Sequence, residues 1–268
     1  MDLSRWSFDP VVLLGTALAA VLYARGWRQL KRRKTASAVY FGVGLGLILI
    51  ALCSPVGTYD QQLFSAHMTE HLLLALGAAP LLLLGKPMVP LLLGLPRQER
   101  RGAASLFKGL TAVGPRTALA MYAATFGLWH LPVLYDLAQG QTPVHYLEHV
   151  MFFGTALLFW YPVIHPDGGP RRLPKIAGVL YFALPMLEGT LIGALFTFAA
   201  RPLYATYSSI DDQQLAGLIM WIPGGLVYAA AVLALLTSAL REEERACRTA
   251  EADLAAVTRD DAVLFENA

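Results

Sequence analysis

What most constrains this chain is a set of seven apolar runs, each near the ~20 residues that carry a helix across a bilayer, with most Lys and Arg confined to alternate connections between them. The runs read as spans at Pro10 to Tyr23, Ala36 to Cys53, Leu63 to Leu84, Thr117 to Leu137, Pro143 to Ile164, Ile176 to Ala199 and Gln214 to Leu240. Backbone polar groups in hydrocarbon must be satisfied within the segment, so such runs become helices. The expected fold is all-α: an integral membrane bundle of seven transmembrane helices over residues 1–240, followed by a charged tail over 241–268. Apolar residues make up 56% of the chain and charged ones only 15%, which makes the lipid bilayer its first partner and calls for no nucleic acid. Asp2 and Asp9 stand where a cleaved signal would carry basic residues, so the first run reads as a retained anchor.

The basic residues orient the array. Arg25, Arg28, Lys31, Arg32, Arg33 and Lys34 close the first span, and Lys86, Arg97, Arg100, Arg101, Lys108 and Arg116 follow the third. Arg171, Arg172 and Lys175 follow the fifth, and Arg241, Arg245 and Arg248 follow the seventh. The intervening loops hold Arg201 alone and the N-terminal tail Arg5. Basic loops stay in the cytoplasm, which puts the N-terminus outside and the C-terminus in the cytoplasm. The proline-rich stretch from Lys86 to Pro96 is too short to span and reads as interfacial or re-entrant; the tail reads as a solvated helix with a frayed end. Cys53 and Cys247 form no CxxC pair and define no disulfide framework.

Two boxes of the same form head apolar runs: His67-Met68-Thr69-Glu70-His71 and His145-Tyr146-Leu147-Glu148-His149. In a helix this spacing brings both histidines and the glutamate to one face on adjacent turns. Two neutral imidazoles make half a metal site, and a second helix can supply the rest. His130, in Trp129-His130-Leu131-Pro132, falls on the same membrane side, so five of the six histidines converge there. The expected metal ligands are therefore His67, His71, His130, His145 and His149. Glu70 and Glu148 serve either as ligands or as acceptors that fix an imidazole tautomer. Met68 is a soft donor suited to Cu(I), although methionine in a span is otherwise packing. Ionisable groups inside spans are costly and mark sites or pathways. Glu188, within the sixth span, is expected to face the interior for that reason. Asp60-Gln61-Gln62-Leu63 recurs as Asp212-Gln213-Gln214-Leu215, and both aspartates read as helix-start caps.

Together, Phe64 to Leu74, Trp129 to Asp136, His145 to His149 and Asp212 to Gly225 resemble the CtaG family of bacterial cytochrome c oxidase assembly proteins, the caa3-type group. The resemblance implies a seven-span, non-enzymatic assembly factor in the bacterial cytoplasmic (inner) membrane. It also implies copper as the cofactor, as Cu(I) or Cu(II), supplied to a haem-copper cytochrome c oxidase subunit, with His67, His71, His130, His145 and His149 in the family motifs. A single-span family of the same name carries a cysteine copper motif that this chain lacks. Two other readings remain at this stage. His-x-x-Glu-His is also the inverted zinc-protease motif, against which two copies on separate spans count. One histidine from each box can alternatively ligate a b-type haem.

Overall fold

The computed structural model describes residues 5–166 and 173–266. Arg171, Arg172 and Asp2, used above in reading orientation and anchoring, lie outside the described residues. The described residues form helices joined by short turns and loops, with no strand among them. In order they form α1 (Pro10–Trp27), α2 (Thr35–Cys53), α3 (Pro55–Thr58), α4 (Phe64–Leu72), a π turn (Leu73–Ala78), α5 (Ala79–Leu84) and α6 (Met88–Gly94). Then come α7 (Arg100–Thr111), α8 (Pro115–Trp129), α9 (Pro132–Gly140), α10 (Thr142–Ile164), α11 (Lys175–Phe198) and α12 (Ile210–Glu266). Six helical stretches are long and apolar enough to cross a membrane, or seven if α8 and α9 count as one bent span.

The bend is a departure from the expected straight span at Thr117 to Leu137. Pro132 bars the helical conformation at the residue before it, and Leu131 is extended at φ −71°, ψ 130°. The two halves meet at 76°. The proline-rich stretch after Lys86 forms the short α6, which packs on the end of α1 by backbone contact. A Cβ at Gly26 would lie 1.8 Å from the Pro90 carbonyl oxygen, and one at Gly94 would lie 2.0 Å from that of Leu22. The seventh expected span does not stop at Leu240: its helix, α12, continues unbroken to Glu266.

The segment Phe64–Leu84, built from α4, the π turn and α5, is the most enclosed of the spans, with 56% of its window buried against 11–39% for the others. Its neighbours are α2, α10 and α12. Outward-facing Leu14, Leu18, Leu180, Leu187, Leu191, Leu195, Leu226 and Leu233 are exposed. That is the surface a lipid-facing bundle presents. Inside, Phe159, Trp160, Tyr181, Phe182 and Tyr228 form one aromatic core, and Phe64, Met68, Tyr135, Phe196 and Met220 another.

Candidate metal centre

The first box stands at the start of α4, and the chain caps that helix from a distance. Leu63, at the N-cap, supplies no side-chain bond. Instead the Phe64 amide donates to Asp212 Oδ2 at 2.6 Å, and the Ser65 hydroxyl donates to the other oxygen of the same carboxylate. Asp212 sits in the first turn of α12, so the helix-cap reading holds, but for another helix. Two residues after His71, at Leu73, the chain widens into the π turn, a feature common at functional sites.

The second box stands in the first turns of α10 and faces the first across a narrow gap. His67 Nε2 and His71 Nε2 are 2.8 Å apart, and Glu148 Oε1 lies 3.6 Å from the one and 3.7 Å from the other. In return Glu70 Oε1 lies 3.4 Å from His149 Nε2. Each glutamate thus serves the histidines of the other box. Helix geometry explains the crossing: Glu70 is rotated about 60° from His67 and about 100° from His71 around the axis, so it points past the face its own histidines share.

Outside both boxes, Asp60 Oδ2 lies 3.4 Å from His145 Nε2. Ligand atoms of Asp60, His67 and His145 lie within 4.8 Å of one another, as do those of His67, His71 and Glu148. Asp60 is fixed by its neighbours, since the Gln61 amide donates to its Oδ1 at 2.6 Å and the Tyr207 hydroxyl to its carbonyl at 2.5 Å. Burial pushes its carboxyl above the ordinary range, so a charge there is costly without a cation. Gln139 of α9 lies 3.0 Å from His67 Nδ1. That contact is made by the amide nitrogen Nε2, which donates, so Nδ1 accepts and the ring proton sits on Nε2; turning the amide to present its oxygen would move the proton to Nδ1 and free the Nε2 lone pair toward His71 and Glu148.

Whether a metal fits is answered by the polar atoms left over. Glu70 Oε2, His71 Nδ1, His145 Nε2, Glu148 Oε2 and His149 Nε2 are buried with no hydrogen-bond partner, a concentration that a folded core does not tolerate without compensation. The triangle formed by His67 Nε2, His71 Nε2 and Glu148 Oε1 has a circumradius of about 2.0 Å, the bonding distance of nitrogen and oxygen to a transition metal. The donor set fits an ion.

His130 and Met68 stand apart. His130 ends α8 at the bend, its Nδ1 2.6 Å from the Phe126 carbonyl oxygen and its ring against Phe126. It belongs to neither close grouping of ligand atoms. Met68 packs among Phe64, Tyr135, Phe196 and Met220. Glu188 lies beside Gly127, where an added Cβ would come within 3.1 Å of its Oε1. Asp60, Gln139 and Asp212 were not legible as site residues. Asp60 and Asp212 carried only a helix-cap signal, and Gln139 carried none.

A cleft of about 400 Å³ reaches the cluster from the side of α1, lined by Asp9, Asp60, Glu70, His145, Tyr146 and His149 among others. At its rim the Tyr146 hydroxyl donates to Asp9, which holds that carboxyl below its ordinary value. Asp9 also caps α1 by accepting from the Val11 and Val12 amides.

These features define a class: a polytopic membrane protein with a buried cluster of histidines and carboxylates at one end of its bundle. The chain belongs to the cytochrome c oxidase caa3 assembly factor family (Caa3_CtaG), whose sequence pattern matches residues 21–242. It is similar to an uncharacterized protein of Mycobacterium bovis, 27% identical across 91% of this chain and 40% of that protein. A second uncharacterized protein, of Mycobacterium leprae, is 24% identical across 90% of this chain and 40% of its own length. The chain thus spans about two fifths of the length of the curated relatives it matches. No solved structure matches it.

Proposed function

We propose that this protein assists assembly of a haem-copper cytochrome c oxidase by holding a copper ion between its two histidine boxes and passing it to an oxidase subunit in the same membrane. The observation that carries this reading is the three-atom triangle of His67, His71 and Glu148, sized for an ion about 2.0 Å from each corner. His145 and His149, with Asp60 and Glu70 opposite them, extend the same donor chemistry towards the cleft. Nitrogen and carboxylate oxygen without sulfur favour a divalent ion, and among divalent ions such sites bind copper tightest.

The site lies at the end of the spans opposite Arg25 and Lys86, since Asp9 at the start of α1 meets Tyr146 at the start of α10. Basic residues at the far end favour placing the copper site on the outer face of a bacterial inner membrane. The role is one of binding and transfer rather than catalysis. An inverted zinc-protease box needs its own glutamate beside the metal-bound water, whereas Glu70 Oε1 is turned to His149.

Copper content of the purified full chain tests the reading. Wild type is expected to carry copper and no Soret band, and the double substitution His71→Ala, His149→Ala is expected to lose the copper and to stop oxidase maturation. A double variant that keeps its copper and still supports the oxidase refutes the proposal.

A further inference from the structure

We propose that Asp60 and His145, with His67, form a second cation position that takes a divalent ion from the cleft and relays it to the His67–His71–Glu148 position. This inference rests on the metal-binding reading above and adds to it a route and an order of ligands. The separation of 3.4 Å between Asp60 Oδ2 and His145 Nε2 equals the edge of a coordination tetrahedron with bonds of about 2.1 Å. His145 Nε2 is buried without a hydrogen-bond partner. Asp60 has its Oδ1 and its carbonyl committed to Gln61 and Tyr207, which leaves Oδ2 to face the imidazole. The neighbouring Glu70 side chain, 2% exposed, turns Oε1 to His149 and keeps Oε2 buried without a hydrogen-bond partner.

Access is graded in the order a relay needs. The His145 side chain is 12% exposed and the Asp60 side chain 8%, and both line the cleft. His67 is at 0% and Glu148 at 1%, and neither lines it. His67 belongs to both groupings of ligand atoms. An ion leaving Asp60 and His145 therefore has the His67 imidazole within reach on its way to His71 and Glu148. It never has to pass through a bare, desolvated state, whose cost in a low-dielectric interior is severe. The ion changes neither charge nor oxidation state in the step. The two positions share one imidazole and are filled alternately.

The test is loading kinetics of the full chain in detergent micelles with copper(II) ion as the probe, followed by stopped-flow tryptophan fluorescence. A residue on the path speeds uptake and release together. Asp60→Asn and His145→Gln are each expected to slow both rates by at least about tenfold while the equilibrium Kd moves by less than about threefold. In a Glu148→Gln background, the weakly held copper that remains is expected to disappear when Asp60→Asn is added. Uptake slowed by less than tenfold in both single variants overturns the relay, as does a Kd that rises by the factor by which uptake falls. In either case the inner site stands. A wild-type chain that takes up no copper overturns the relay and the copper reading together.

Discussion

The crossed pairing of the boxes gives two chemically identical substitutions opposite expected consequences. Glu148 supplies one corner of the triangle with His67 and His71, at 3.6 and 3.7 Å, whereas Glu70 faces His149 at 3.4 Å. Glu148→Gln leaves two of three donors and replaces an anionic oxygen with a neutral one. Loss of an outer-shell partner costs about 10–100-fold in metal affinity, so a direct ligand is expected to cost at least about 100-fold, or about 2.8 kcal/mol. Glu70→Gln leaves the triangle intact and is expected to weaken the same ion by less than tenfold, under about 1.4 kcal/mol. Both variants should fold. Each glutamate is buried with an oxygen that has no partner, and an isosteric amide removes a desolvated charge. Competition titration of copper against a chelator of known affinity gives both constants, and thermal unfolding without metal checks the fold. Equal weakening by the two variants, or a larger effect at Glu70, would refute the crossed arrangement.

Two further outcomes follow from the same geometry. Asp212→Ala removes the carboxylate that receives the Phe64 amide and the Ser65 hydroxyl; it should destabilise the protein by about 1–2 kcal/mol, read as a lower midpoint of thermal unfolding, with Asp212→Asn milder. His130→Ala and Met68→Leu should leave copper affinity within about threefold of wild type, because His130 bonds the Phe126 carbonyl and Met68 packs among aromatic rings; a tenfold loss in either variant would return that residue to the ligand set.

The spans were legible because hydrocarbon imposes one solution on a long apolar run, and the boxes were legible because His at i and i+4 is a helix-face pattern. Other features depended on relations between segments that spacing does not carry. That each glutamate faces a histidine of the other box was not written in either motif, since a linear motif cannot show that two helices stand close enough to exchange them. Asp60 lies seven residues before His67, yet a non-helical stretch separates it from α4, so no periodicity links the two. Asp212 announced itself as a cap, but that it caps α4 rather than α12 follows only from packing. The break at Leu131 was written in Pro132, whose steric effect on the preceding residue outweighs the hydrophobicity of Thr117 to Leu137. His130 was drawn into the predicted ligand set by membrane depth and by the family motif, neither of which shows that its ring bonds the Phe126 carbonyl one turn back at the end of α8.

An anomalous difference map from crystals of the copper-loaded full chain, recorded at the copper edge, tests the central claim most directly. The account predicts a peak bonded, at about 2.0–2.2 Å, to Nε2 of His67, Nε2 of His71 and an oxygen of Glu148. A map with no peak between the two boxes, or with its peak on the sulfur of Met68 or Cys53, would contradict it.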